Sequence, residues 1–138
     1  MPGEWVIDAS VLGAVFFKEP GATAAVSFLG SDAVLVAPDL LCLEIASIAA
    51  KKVWRGEATE AAAAEAVNKA AALIPELVAN ADLSQRAFEL AARHRFSAYD
   101  AAYLALAEAR QVQLATLDAK LVRRAEEEGF GDLVHLIA

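Results

Sequence analysis

Short apolar runs alternate with longer stretches of helical periodicity along almost the whole chain. The runs fall at 4–8 (EWVID), 33–36 (AVLV), 77–79 (LVA), 112–117 (VQLATL) and 133–137 (LVHLI). Most are continuous rather than alternating, as parallel strands buried on both faces require. Between them the pattern predicts helices over 10–17, 21–29, 39–55, 59–73, 84–94, 98–110 and 119–128. Strands alternating with helices predict an α/β fold with a central, mostly parallel sheet covered on both sides.

Local signals sharpen several helix ends. Pro38 precedes the third helix, and Gly56 follows its basic end at Lys51, Lys52 and Arg55. SAYD, Ser97 to Asp100, has the S-x-x-D form of a capping box. Gly129 follows RRAEEE as a stop signal. The stretch TEAAAAEAVNKAAALI is alanine-rich because alanine is the best helix former. No linker and no internal repeat interrupts the chain, and its 138 residues suit one domain over 1–138 with one core.

Composition changes this picture in three ways. The apolar fraction of 58% is rich for a protein without a membrane span, which suggests that a partner covers part of the surface. No apolar run reaches the roughly 18–20 residues that cross a bilayer. The opening MPGEWVID lacks a basic segment followed by an apolar one, so no signal peptide is expected and a cytoplasmic location is the default. The single cysteine, Cys42, excludes an internal disulfide and a cysteine-based zinc cluster, and is expected to be a small buried hydrophobe. A net charge of −7 argues against coating nucleic acid by bulk electrostatics, but not against a nuclease whose own acids hold metal ions.

Four acids stand apart from the surface carboxylates. Asp8 ends WVID and Asp118 ends LATLD, and each is followed by a predicted helix. In open parallel sheets, sites form outside the carboxyl ends of the strands. Each could equally be a helix cap, and for the first helix Ser10 is the better candidate for that role. Glu44 has Leu40, Leu41, Ser47 and Ile48 three and four positions away, which turns it toward the interior. A buried carboxylate needs a metal ion or a partner such as a buried arginine. Asp100 can complete the capping box, yet Phe96, Tyr103 and Leu104 also give it an apolar, semi-enclosed face. Four converging carboxylates would repel one another, and a hard divalent ion such as magnesium relieves that repulsion.

Taken in order, VIDASVL at 6–12, APDLLCLEIASIAAKK at 37–52, SAYDAAYLALAEAR at 97–110 and LATLDAKLVRRAEEEG at 114–129 resemble the PIN-domain family, especially its VapC-type toxin branch. The closing DLVHLI resembles the family's last strand, so the likeness spans nearly the whole chain. The resemblance implies a three-layer α/β/α fold and a metal-dependent endoribonuclease, usually a homodimer, held inactive by a cognate antitoxin. By the same resemblance Asp8, Glu44, Asp100 and Asp118 bind Mg²⁺ or Mn²⁺ and position water. Ser10 and Thr116 match the hydroxyl positions beside the first and last acids and support them.

Basic residues at Lys51, Lys52, Arg55, Arg93, Arg95, Lys120, Arg123 and Arg124 are candidates for RNA phosphates, or ordinary surface cations. His94 and His135 form no sequence pair that suggests a histidine nuclease. A silent RNA- or protein-binding module remains the competing class. A phosphatase or phospho-acceptor domain fits poorly, because DAS has serine where a D-x-D motif needs its second acid.

Overall fold

The computed structural model describes residues 3–138. Met1 and Pro2, the first residues of the stretch inspected for a signal peptide, lie outside them. Five strands, β1 (Glu4–Ile7), β2 (Val34–Pro38), β3 (Glu76–Val78), β4 (Gln113–Thr116) and β5 (Val134–Leu136), form one sheet in the order β3-β2-β1-β4-β5. All four pairings are parallel. Seven helices connect them: α1 (Ala9–Phe17), α2 (Ala22–Leu29), α3 (Leu40–Trp54), α4 (Glu60–Ala72), α5 (Asn80–His94), α6 (Ala98–Arg110) and α7 (Ala119–Glu127). A single 3-10 turn at Gly131–Leu133 leads into β5.

Strand continuity and burial agree. Val6 and Ile7 of β1, and Leu114 and Ala115 of β4, are fully buried, which is why these strands are apolar without alternation. Right-handed crossovers in this strand order send the connections of β1 toward one edge and those of β4 toward the other. They put α1–α4 over one face and α5–α7 over the other. The packing agrees, with α1 against α2, α3 and α4, and α5 against α6. The sheet's switch point therefore lies between the carboxyl ends of β1 and β4, where neither crossover covers the crevice.

The helix that follows β2 is held close to the one that follows β1. A Cβ at Gly13 would lie 3.1 Å from the Ile48 side chain, so the absence of a side chain lets α1 approach α3. The start of α3 is locked to the start of α5 by an exchange of caps. Asp39 accepts from the Asn80 amide at 3.1 Å, and Asn80 Oδ1 accepts from the Leu40 amide at 3.1 Å. This exchange explains why α5 begins at Asn80 rather than at the expected 84. Its polar first turn, NADL, carries no apolar period, and the carboxylate that satisfies it comes from 41 residues away.

One smaller expectation changes. Cys42 is only partly buried. Several large apolar side chains are exposed, among them Leu43 and Trp54 on α3, Phe88 on α5 and Tyr99 on α6. No helix among the described residues is long and apolar enough to cross a membrane.

Asn80→Ala strands the Leu40 amide at the head of α3. Urea unfolding of this variant should show a loss of about 1 kcal/mol, the usual worth of a helix cap. An unchanged midpoint would mean that water satisfies the amide as well as Asn80 does.

Candidate functional site

Ile7 pairs with Ala115 across β1 and β4, so the next position along each strand sets Asp8 beside Thr116. Both are buried, and they are the two buried polar side chains among the described residues. Thr116 donates to Asp8 Oδ2 at 2.5 Å. Ser10 donates to Asp8 Oδ1 at 2.5 Å through its hydroxyl and at 3.1 Å through its amide. Each hydroxyl also accepts a backbone N–H from the turn after β4. Leu117 donates to Ser10 at 3.1 Å, and Asp118 donates to Thr116 at 3.0 Å. Each hydroxyl has one proton, and both point at Asp8.

The cap of α1 is Asp8 and not Ser10, contrary to the sequence expectation. Asp8 is the last residue in extended backbone, so the first free helical amides point back at it, while Ser10 is already within the helix. Capping does not remove Asp8 from the crevice, because Oδ2 keeps a lone pair beyond its bond to Thr116. Asp118 combines the same roles. Its Oδ1 accepts from the Lys120 and Leu121 amides at 3.1 Å each, capping α7, and its Oδ2 has no protein donor among the described residues.

Asp100 and Glu44 approach from the helices. Ser97 caps α6 by accepting from the Asp100 amide at 3.0 Å, making the serine half of the capping box. The Asp100 side chain lies half-buried at the crevice. Glu44 is half-buried rather than sealed in the interior, and no arginine among the described residues pairs with it. Tyr103, 2% exposed, instead donates to Glu44 Oε1 at 2.6 Å. Asp8, Glu44, Asp100 and Asp118 line one open cavity of about 320 Å³, together with Ser10, Ser47, Ile48, Lys51 and Tyr103. Lys51 was one of several basic candidates, whereas Ser47 and Tyr103 did not stand out as site residues in the sequence. Their signal was spacing: Ser47 and Lys51 lie three and seven positions after Glu44, and Tyr103 three after Asp100.

Burial and like charge set the electrostatics. Burial pushes Asp8 up to about 6; the Ser10 and Thr116 hydroxyls resist this and the Asp118 charge adds to it. Burial raises Asp100 above the usual carboxylate range, again with help from Asp118. Burial raises Glu44 too, with Tyr103 opposing and Asp100 reinforcing. The repulsion thus runs from Asp8 to Asp118 to Asp100 to Glu44. Tyr103 is driven far above its ordinary range by burial and then by the Glu44, Asp8 and Asp100 charges, so its hydroxyl keeps its proton.

Hard oxygen donors suit magnesium or manganese rather than zinc or copper. Among the described residues, no three His, Cys, Asp or Glu side chains are grouped tightly enough to enclose an ion unaided. That fits an ion that takes one or two carboxylates and fills its other positions with water or substrate phosphate.

The other cations divide clearly. Lys52 is bound to Glu19 and, at 3.0 Å, to Glu57. Arg124 donates to the His94 carbonyl at 3.1 Å. Arg55, Arg93, Arg95, Lys120 and Arg123 are exposed, and none of them lines the cavity. Lys51 alone among these candidates lines it. His94 sits 3.0 Å from Glu128, and His135 packs near Trp5 and Phe28.

Residues 5–127 match the sequence profile of the PIN domain. Ribonuclease VapC3 of Pyrobaculum aerophilum is 31% identical over 121 residues, covering 86% of this chain and 92% of the relative. The crystal structure of PAE2754, also from Pyrobaculum aerophilum, superposes with a TM-score of 0.68 at 23% identity, covering 88% of this chain and 78% of the other. That second likeness concerns the fold.

The raised Asp8 predicts a pH signature in chelator. Between about pH 4 and pH 6 the folded carboxyl holds its proton more tightly than the unfolded one. Stability is therefore greatest below pH 4 for this group and falls as pH rises through 6, by up to about 3 kcal/mol. Asp8→Asn should remove that share of the slope, read by chemical denaturation from pH 4 to pH 7.5. A wild-type slope retained in full by the variant would refute the assignment.

Proposed function

The chain belongs to the PIN-domain family, and from that premise we propose that it is a metal-dependent endoribonuclease of the VapC toxin type. It hydrolyses RNA phosphodiester bonds with water, acts in the cytoplasm as a homodimer, and is restrained by a cognate antitoxin. The observation that carries this reading is the meeting of four carboxylates from four separate segments in one cavity at the sheet's switch point. The relationship to a protein named a ribonuclease supports the substrate. Exposed Leu43, Trp54, Phe88 and Tyr99 suit a surface covered by partner chains.

Asp8, Glu44, Asp100 and Asp118 would hold Mg²⁺ or Mn²⁺. The bound ion would neutralise the acids, acidify a water and offset charge on the phosphate. Ser10 and Thr116 keep Asp8 charged and fixed in orientation by giving it both of their protons. The Asp118 oxygen left free by capping faces the same task from the opposite strand. Lys51 supplies the positive charge that an RNA phosphate needs at the mouth of an acidic cavity. A binding module without catalysis has no use for four carboxylates kept at this electrostatic cost, which favours the enzyme.

Asp100→Asn should lower Mn²⁺-dependent RNA cleavage by at least about 100-fold, in the range of lost electrostatic or acid–base catalysis. Cleavage at the wild-type rate would sink the assignment. Lys51→Ala should raise KM for RNA several-fold and leave Mn²⁺ affinity, measured by calorimetry, within error. Protons compete with the ion for Asp8, held near 6, so Mn²⁺ affinity should fall from pH 7.5 to pH 5.5. Equal affinity at both pH values would contradict the proposed ligand set.

A further inference from the structure

Tyr103 has no place in the acidic set, yet it lines the same cavity and its hydroxyl bonds one of the acids. The ring is a core residue at 2% exposure, and the oxygen reaches the cavity wall. It is three residues from Asp100 on α6, so the two side chains lie on one face of that helix. From there it spans to α3 and donates to Glu44 Oε1 at 2.6 Å. Unlike Asp8 and Asp118, Glu44 caps no helix, and unlike Asp8 it has no serine and threonine pair to hold it. A glutamate has three rotatable side-chain bonds, and fixing it in one rotamer costs conformational entropy. The Tyr103 proton is the only side-chain hydrogen bond that Glu44 accepts among the described residues.

We propose that Tyr103 is a positioning residue for the divalent cation: its hydroxyl fixes the Glu44 carboxylate through Oε1 and leaves Oε2 directed to the ion. The inference rests on the metal-dependent reading above. A phenol suits the role better than an amine or guanidinium. It donates one directional bond without bringing a positive charge that would compete with the cation. Its own ionisation is suppressed by burial and by the surrounding carboxylates, so it stays a donor. The rigidity comes from the core, since α6 is buried along Ala101–Ala107 and the tyrosine ring cannot swing with solvent. Asp100 and Glu44 are in this way tied to one helix, although they belong to different elements.

The test reads metal affinity and not turnover. Mn²⁺ is titrated calorimetrically into wild type, Tyr103→Phe, Glu44→Gln and the double variant. Tyr103→Phe keeps the ring and should weaken Mn²⁺ binding about 10-fold, the lower end for loss of a group that orients a ligand. In the Glu44→Gln background the same change should cost less than about 2-fold, because there is no carboxylate left to orient. A purely structural tyrosine would instead lower thermal stability in chelator and leave the Mn²⁺ dissociation constant unchanged, which overturns the proposal. Equal weakening in both backgrounds also overturns it, since Tyr103 would then act without Glu44.

Folding of the variant is not needed for the second measurement. The chain has 2 tyrosines, so ring-labelled tyrosine resolves Tyr103 from exposed Tyr99 in the wild-type NMR spectrum. Titration with Mg²⁺ should move the Tyr103 ring resonance along the binding curve, and an unmoved resonance at saturation refutes the contact. Wild-type protein that binds neither ion overturns the metal-dependent reading and this inference together. Wild-type binding with an unaltered Tyr103→Phe overturns the inference alone.

Discussion

The parallel pairing of β1 with β4 governs the whole carboxyl edge. Because Ile7 lies beside Ala115, Asp8 must lie beside Thr116. Removing a carboxylate from water at that point would be prohibitive unless donors met it. Ser10 and Thr116 provide them, and they can aim both protons inward because amides of the opposite turn occupy their lone pairs. The bonds that satisfy Asp8 therefore also shape the turn that presents Asp118. A shift of one residue in register would turn Thr116 to the other side of the sheet and undo both.

The acids are arranged in tension. Burial raises Asp8, Asp100 and Glu44, and the charge of Asp118 adds to the first two as that of Asp100 adds to the third. Such a group weakens the fold at neutral pH, so its persistence points to a benefit outside the fold. The surrounding scaffold is correspondingly stiff. Gly13 lets α1 close on α3, the Asp39–Asn80 exchange ties α3 to α5, and the tyrosine bond ties α3 to α6. Repelling side chains are held together by elements that have little freedom to separate.

Much of this was legible in the chain because periodicity is local. Continuous apolar runs identified buried parallel strands, and the strand-end aspartates identified the edge where they meet. What escaped was set by contacts between distant segments. Ser10 looked the better cap because serine is a favoured cap, but the backbone at Asp8 decides which residue stands first outside the helix. The start of α5 depends on Asp39, and nothing in NADL announces it. Tyr103 read as core, which its ring is; only its oxygen belongs to the crevice. Glu44 was read as an inward-facing acid with a buried arginine as the alternative to metal, and the side chain that meets it is a phenol 59 positions away. The gathering of Lys51 and Ser47 beside it follows from the same helical face, a signal present in the spacing but shared by every helix.

The central position of the first strand has a consequence for synthesis. β1 leaves the ribosome before the other strands of its sheet, yet one of its two neighbours, β4, is made of residues 113–116. Until that late segment emerges, β1 has one open edge and Asp8 lacks the threonine that satisfies it. The last acid, Asp118, follows two residues later still. A nascent chain therefore carries its crevice in pieces until β4 is made, and the pieces become one cavity only as that strand and the turn after it join the sheet. The topology itself keeps the four acids apart until β4 has formed.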